Sequence, residues 1–438
     1  MQANSKNKDG SNLSFPFRGT GGEKLLQYIW QFQYFNKSEL VTNAGEKLEI
    51  VFPGKLNLNQ GPDFSNAKIK IDETILVGSI ELHLKTSQWK EHGHENDPNY
   101  KTVVLHVVFE NDLQTSSNIP LLELQPRISN LLLQRYQSLM EANSFIACAS
   151  GITEVKEIIW MAWKERLLAE RLTRKSNHVF DLLQKNNQHW EETFWWMLAR
   201  NFGMKVNGDA FEAIAQSVSI NILAKHKNQV HQIEALLLGQ ANLLNEEFKE
   251  DYPQLLQREY DFLKKKYDLK PVHIPVHLLR MRPGNFPAVR LAQLAMLIHH
   301  SVHLFSKLLE AEKIEEIKEL LAITANDYWH YHYIIDEPSN FRQKSIGKQM
   351  IDNVIINSIV PMLFAYGLYH KEEKYKSKAI NWLEEIAAET NTITKGFEAL
   401  TLSNKKAYDS QAYIELKTQY CDHKLCLQCA VGNALLRN

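Results

Sequence analysis

The hydrophobic and polar positions of this 438-residue chain change rhythm near residue 127. Before that point, residues 23–35 (EKLLQYIWQFQYF) place Leu25, Leu26, Ile29, Trp30 and Phe32 at helical spacing and predict an amphipathic helix. Four short runs come next, at 46–52, 66–71, 76–85 and 102–109, often alternating and bounded by Gly, Pro, Asn or Asp. That is the pattern of strands. Pro53-Gly54, Gly61-Pro62 and Asp97-Pro98 punctuate them. The predicted order is helix, three strands, a short link, then a strand.

After residue 127 strand signals fade and helical periodicity takes over. Helices are expected over 160–175, 190–202, 208–225, 229–244, 253–267, 286–299, 301–310 and 348–366, with further ones over 379–388 and 410–419. No fixed-period repeat is present, so a solenoid is not expected. The reading is a mixed α+β chain. A polar, disordered lead-in covers residues 1–21, a small α/β domain 22–130, and a large all-helical domain 131–438.

Composition narrows this only slightly. A net charge of −1 gives no global attraction to nucleic acid, so any polyanion site must be a local basic patch. No apolar run approaches the ~20 residues of a membrane span, and the polar N-terminus lacks a secretory h-region. Four cysteines in a chain of this length do not make a disulfide scaffold. A cytoplasmic protein with no membrane partner is expected. There is no G-x-x-x-x-G-K, no G-x-G-x-x-G after a strand and no G-x-S-x-G elbow, which disfavours the chemistries those motifs carry.

Candidate chemistry is densest between residues 61 and 108. Alternation along 76–85 puts Glu81, His83 and Lys85 on one strand face, with Ile80, Leu82 and Leu84 on the other. Asp63 stands just ahead of the preceding strand. If the two strands form a hairpin, Asp63 and Glu81 converge. Two carboxylates together suit Mg²⁺ or Mn²⁺, with His83 or Lys85 activating water. His92-Gly93-His94 and His106 open a second reading, a Zn²⁺ site with Asp97 or Glu81 as carboxylate partner. The bland alternative makes His83 and His106 hydrogen-bonded interior groups, and His92 and His94 solvated loop residues.

Two further clusters bear on binding. Arg280, Arg282 and Arg290 flank Asn285 at a predicted helix N-terminus, a candidate anion contact. Cys421, Cys426 and Cys429 form C-x4-C-x2-C, and Cys148 is the one other cysteine. Three thiolates at that spacing suit Zn²⁺ or an iron–sulfur cluster, with Cys148 or His423 as fourth ligand. Lys164, Arg171 and Lys175 share one helix face and read as a solvated stripe.

The order helix, three strands, link, strand resembles the core of the PD-(D/E)XK nuclease superfamily. Pro62-Asp63 and Glu81-Leu82-His83 match its motif, with His83 where that family has Lys and Lys85 two residues on. The resemblance implies a restriction-endonuclease-like domain that hydrolyses phosphodiesters of DNA or RNA, with Glu23 or Glu46 as an additional acid. The terminal cysteine trio with one distant partner resembles the arrangement in iron–sulfur helicase-nucleases, though there the cysteines bracket the nuclease motif. Across nearly its whole length (GPDF, SNAKI, GSIELH, LHVV, RPGNFPAVRL) the chain resembles a bacterial family of unknown function. The expected activity is metal-dependent nucleic-acid hydrolysis. The alternatives are a non-catalytic scaffold that binds nucleic acid or protein, and a zinc hydrolase built on the histidines.

Overall fold

A computed structural model describes residues 20–113, 119–278, 283–301 and 303–437. The lead-in before residue 20 lies outside them. The chain divides into two compact units. The first comprises residues up to Trp163 and again from Leu416, and the second is Lys164–Glu415. The C-terminal segment with its three cysteines therefore belongs to the first unit and not to the helical one.

The first unit is built on a mixed sheet. Helix α1 (Thr20–Gln31) precedes β1 (Leu48–Phe52), β2 (Lys55–Leu56), β3 (Phe64–Ile71), β4 (Thr74–Lys85), the short α2 (Gln88–Glu91), β5 (Val103–Glu110) and β6 (Leu121–Glu123). The order across the sheet is β1-β3-β4-β5-β6, with β2 pairing β3. The β1/β3 and β3/β4 pairs are antiparallel, and β4/β5 and β5/β6 are parallel. The four expected strands are all present; β2 and β6, two and three residues long, carry too little pattern to be read in advance. Leu25, Leu26, Ile29 and Trp30 of α1 are fully buried, as are Ile69, Ile80, Leu105 and Val107 of the strands. The Trp30 indole N–H donates to Pro53 O at 3.0 Å and fixes α1 to the loop after β1.

A register shift in β3 between Phe64 and Ala67 sets the position of Asp63. Asn66 there adopts φ +55°, a left-handed conformation that Asn tolerates better than most residues. This bulge bends the start of β3, and Phe64 ends up opposite Ile80 of β4. Asp63 is thereby brought to the Glu81 carboxylate and the Leu82 backbone N–H.

The second unit is helical around a core that includes Trp195, Phe202, Phe211, Leu236, Trp329 and Leu363. The helix Glu157–Lys185 leads into it and runs well beyond its expected end. The expected helix 208–225 is two, Met204–Ser217 and Ile220–Lys225, because the Ser219 side chain caps the Ile222 N–H and restarts the chain. Residues Lys348–His370 form one long helix containing a π-turn at Ile355–Ile359, just before Pro361. It is long and apolar enough to cross a membrane, contrary to expectation, yet 72% of its most apolar window is buried inside the fold. It is a core helix by packing.

The expected solvated stripe is also corrected. Lys164 pairs with Asp409 at 2.6 Å, Arg171 and Arg174 both reach Glu415, and Lys175 donates to Asn357 Oδ1. The stripe is an ion-pair seam against the helix Ala407–Glu415.

Candidate metal centre

Glu81 and His83 lie two residues apart on β4 and point the same way, as alternation requires. The neighbouring parallel strand places His106 in register with Glu81. After β4 the chain turns through α2, ends it at His92, and reverses at Gly93 with φ +72°. That left-handed residue suits glycine and swings His94 back over the strand. The acid and the imidazoles are then held against one point.

The distances define the arrangement. Glu81 Oε1 lies 3.5 Å from His83 Nε2 and 3.5 Å from His94 Nε2. His83 Nε2 is 3.2 Å from His92 Nδ1. The ligand atoms of His83, His92 and His94 all fall within 4.8 Å of one another. Zinc bound by nitrogen at 2.0–2.1 Å in a tetrahedron separates its ligands by about 3.3–3.4 Å. Three of the separations among these four atoms are thus close to that spacing, and the three imidazoles form the mutually convergent group. His94 Nε2 is buried and has no hydrogen-bond partner, as a nitrogen reserved for a metal would be.

Surrounding groups orient these four. His83 Nδ1 and His106 Nε2 are 2.8 Å apart, so a proton on His83 Nδ1 leaves Nε2 with its lone pair facing the cluster. Asp63 N–H donates to Glu81 Oε2 at 3.1 Å, holding the other oxygen, Oε1, toward the imidazoles. Asp63 itself accepts from Leu82 N–H at 3.0 Å and from Gln27 Nε2 of α1 at 2.7 Å. Tyr100 stacks on His94 with ring centroids 3.7 Å apart, and Trp89 packs by its edge against His83 and His94.

Burial sets the electrostatics of the cluster. Burial pushes the Glu81 carboxyl up to about 9, with the Asp63 and Glu23 charges adding to it. Burial raises Asp63 to about 6 against the pull of its two hydrogen bonds. On the imidazoles the effect is opposite. Burial and then His106, His92 and His94 drive His83 down to about 2, and burial and His94 drive His106 to about 4. Burial and His92 lower His94 as well. Burial thus leaves neutral imidazoles beside carboxyls that resist ionisation.

Other expected residues fare differently. Lys85 stands four residues beyond Glu81, about 13 Å along an extended strand. Among the described residues no ion pair joins it to Asp63 or Glu81, so the water-activating role expected of it is not supported by the geometry. Glu23 acts on both acids through its charge, whereas Glu46 accepts from Thr42 Oγ1. His92 and His94 both approach His83; His94 is largely covered, whereas His92 stays exposed, as the solvated-loop reading expected. Asn285 and Arg290 are joined to each other: Arg290 is buried, donating to Asn285 Oδ1 at 2.5 Å and Gln293 Oε1 at 2.9 Å. This corrects the role expected of Arg290, because its guanidinium is turned into the interior and not toward solvent. Arg280 and Arg282 lie outside the described residues. Cys148, Cys421, Cys426 and Cys429 converge on one small cavity, and His423 is not among its lining residues. Sequence reasoning missed Gln27, Tyr100 and Trp89; Gln27 follows Glu23 by one helical turn, and that shared face of α1 was the available signal.

Fold and site together define a class: a mixed-sheet unit with a carboxylate–histidine cluster beside its hairpin, in a chain that also holds a large helical unit. The chain belongs to the family described as Protein of unknown function (DUF2851), whose model matches residues 23–392. No curated protein and no solved structure matches the chain.

Proposed function

We propose that this chain is a metal-dependent hydrolase of nucleic-acid phosphodiesters. Its metal is held by Glu81, His83, His92 and His94, and not by Asp63 and Glu81 alone. The observation that carries the proposal is the convergence of His83, His92 and His94 within 4.8 Å, with Glu81 Oε1 3.5 Å from both His83 Nε2 and His94 Nε2. Imidazole donors favour Zn²⁺ or Mn²⁺ over Mg²⁺, which prefers an all-oxygen shell. Such an ion supplies a Lewis acid and a water acidic enough to ionise near neutrality.

The protein's own part is positioning and proton handling. His106 fixes the tautomer of His83, and Asp63 N–H fixes the orientation of Glu81. Asp63, lifted by burial toward neutrality, is the acid beside the ligand set that is poised to exchange a proton with a reacting water. His92 is exposed and marks the side from which a substrate enters. The phosphodiester assignment is supported by the order α1-β1-β3-β4-link-β5, which is the one that the resemblance to PD-(D/E)XK nucleases implies, with Asp63 and Glu81 at the motif positions. A cytoplasmic setting is compatible with the four free thiols.

A second reading has one observation in its favour. Three imidazoles and a carboxylate gather here, enough donors to fill a tetrahedral shell, and closed sites are characteristically structural. The chain would then be a binding module with a zinc-stapled strand. The discriminating experiment is Mn²⁺- or Zn²⁺-dependent cleavage of mixed single- and double-stranded DNA and RNA by the full chain, beside Glu81→Gln and His94→Ala. Cleavage by wild type that falls at least ~100-fold in both variants supports the hydrolase. A wild type that binds metal yet cleaves nothing supports the module.

A further inference from the structure

The first unit holds a second cluster that the histidine site does not use. Cys148 stands before a short helical turn at Ala149–Glu154. Cys421 ends a π-turn, Cys426 opens a 3-10 turn, and Cys429 precedes the C-terminal helix Ala430–Arg437. These points lie roughly 270 residues apart in sequence, a long loop for any cross-link to close. Yet all four cysteines line one cavity of about 20 Å³, together with Ala147, Tyr420, Leu425 and Gly432. All four are free thiols.

Ordinary core cysteines would pack this space shut, because interiors are close-packed and small voids cost stability. Nor does the lining suit water, which needs two to four polar partners. Burial raises all four thiols above their usual range, and the groups around the sulfurs work against it. Val431 and Gly432 direct backbone N–H groups at the Cys429 sulfur, and the Trp163 indole lies beside it. Those backbone groups are the first turn of a helix, where partial positive charge accumulates. Lys417 acts on Cys421 and Lys424 on Cys426 in the same sense. Gly432 packs so closely on the Cys426 carbonyl that an added Cβ would lie 2.3 Å from its oxygen. The turn is therefore shaped to bring Cys426 and Cys429 to one point.

Spacing separates the metals that thiolates prefer. A single Zn²⁺ with 2.3 Å bonds would draw its sulfurs to about 3.8 Å apart. Among the described residues the histidine trio meets a 4.8 Å mutual limit, and no three of these sulfurs do. An iron–sulfur core interposes its own atoms and holds four thiolates further apart.

We infer that Cys148, Cys421, Cys426 and Cys429 ligate an iron–sulfur cluster that staples the C-terminal segment to the residue-148 turn within the first unit. The site is separate from the proposed hydrolytic centre and stands or falls without it. Because the chain leaves the first unit after Trp163 and rejoins it at Leu416, the cluster ties together the two stretches that compose that unit.

The test is anaerobic purification of the full chain, with iron, zinc and acid-labile sulfide measured per chain and the visible spectrum recorded. Expected are about two to four iron with matching sulfide, a brown chromophore, and loss of both in Cys148→Ser and Cys429→Ser. Trp163→Phe, which removes the indole N–H beside Cys429, should keep the cluster and shift its reduction potential negative. One zinc per chain at these cysteines overturns the cluster assignment. So does a wild type free of iron and sulfide after anaerobic reconstitution. Should the serine variants fail to fold, wild-type iron and sulfide with an unshifted Trp163→Phe potential would likewise count against this ligand geometry.

Discussion

Replacing His106 by Phe tests whether the histidine cluster is a metal site or a set of interior imidazoles. His106 is 2% exposed on β5, and phenylalanine is close enough in size to keep the packing. What is lost is the 2.8 Å bond between His106 Nε2 and His83 Nδ1. Without metal, His83 can answer by moving its proton to Nε2, which faces Glu81 Oε1 and His92 Nδ1. With metal on Nε2, the proton must stay on Nδ1, where it is now buried without an acceptor. The cost therefore falls on the bound state. An orphaned buried donor costs about 1–3 kcal/mol, and losing such an outer partner weakens metal binding roughly 10- to 100-fold. Chelator competition with Zn²⁺ or Mn²⁺, with circular dichroism as a folding control, measures this directly. His106→Gln, which retains an acceptor, should recover part of the loss. Metal affinity unchanged in a folded His106→Phe would refute the role given to His106, and an equal loss in His94→Ala would show that the two positions do not differ in kind.

Metal affinity should climb with pH. The ligand form of Glu81 is ionised, its carboxyl is raised to about 9, and His83 and His106 are already neutral far below that. One proton is then displaced per metal, so affinity for Mn²⁺ rises about tenfold per unit from pH 7 and levels near 9; a flat profile in titration calorimetry would remove Glu81 from the ligand set. In the helical unit, Glu234 is fully buried and accepts from Asn326 Nδ2, Tyr252 OH and Trp329 Nε1. Glu234→Gln turns an amide against at least one of these donors and should cost about 1–3 kcal/mol in thermal or urea denaturation. Gly239→Ala would put a Cβ 2.2 Å from the Tyr260 ring and should lower the melting temperature by several degrees, whereas an unchanged melting point would mean the two helices can part freely.

Much of the sheet was legible because strand alternation is a local property. Ile80, Leu82 and Leu84 against Glu81 and His83 named both the core face and the polar face of β4 before any pairing was known. The hairpin that joins Asp63 to β4 came from the same reading, though the bulge at Asn66 that sets its register did not. His92 and His94 were legible as possible Zn²⁺ ligands, but their convergence with His83 was not, since it depends on a four-residue helix and one left-handed glycine. Arg290 misled because a sequence shows a cation and not the Asn285 and Gln293 side chains that engage it. The Lys164–Lys175 stripe misled likewise: its partners, Asp409, Gln411 and Glu415, stand about 240 residues away, beyond any local pattern. The cysteines show the opposite balance. Their spacing announced a site, and only the fold brought Cys148 to it.

The most direct test is an anomalous difference map from crystals of the full chain grown with Zn²⁺ or Mn²⁺, recorded at the metal's absorption edge. The account predicts one peak at about 2.0–2.2 Å from Glu81 Oε1, His83 Nε2, His92 Nδ1 and His94 Nε2. A peak lodged between Asp63 and Glu81 without the imidazoles, or none at either place, would contradict it.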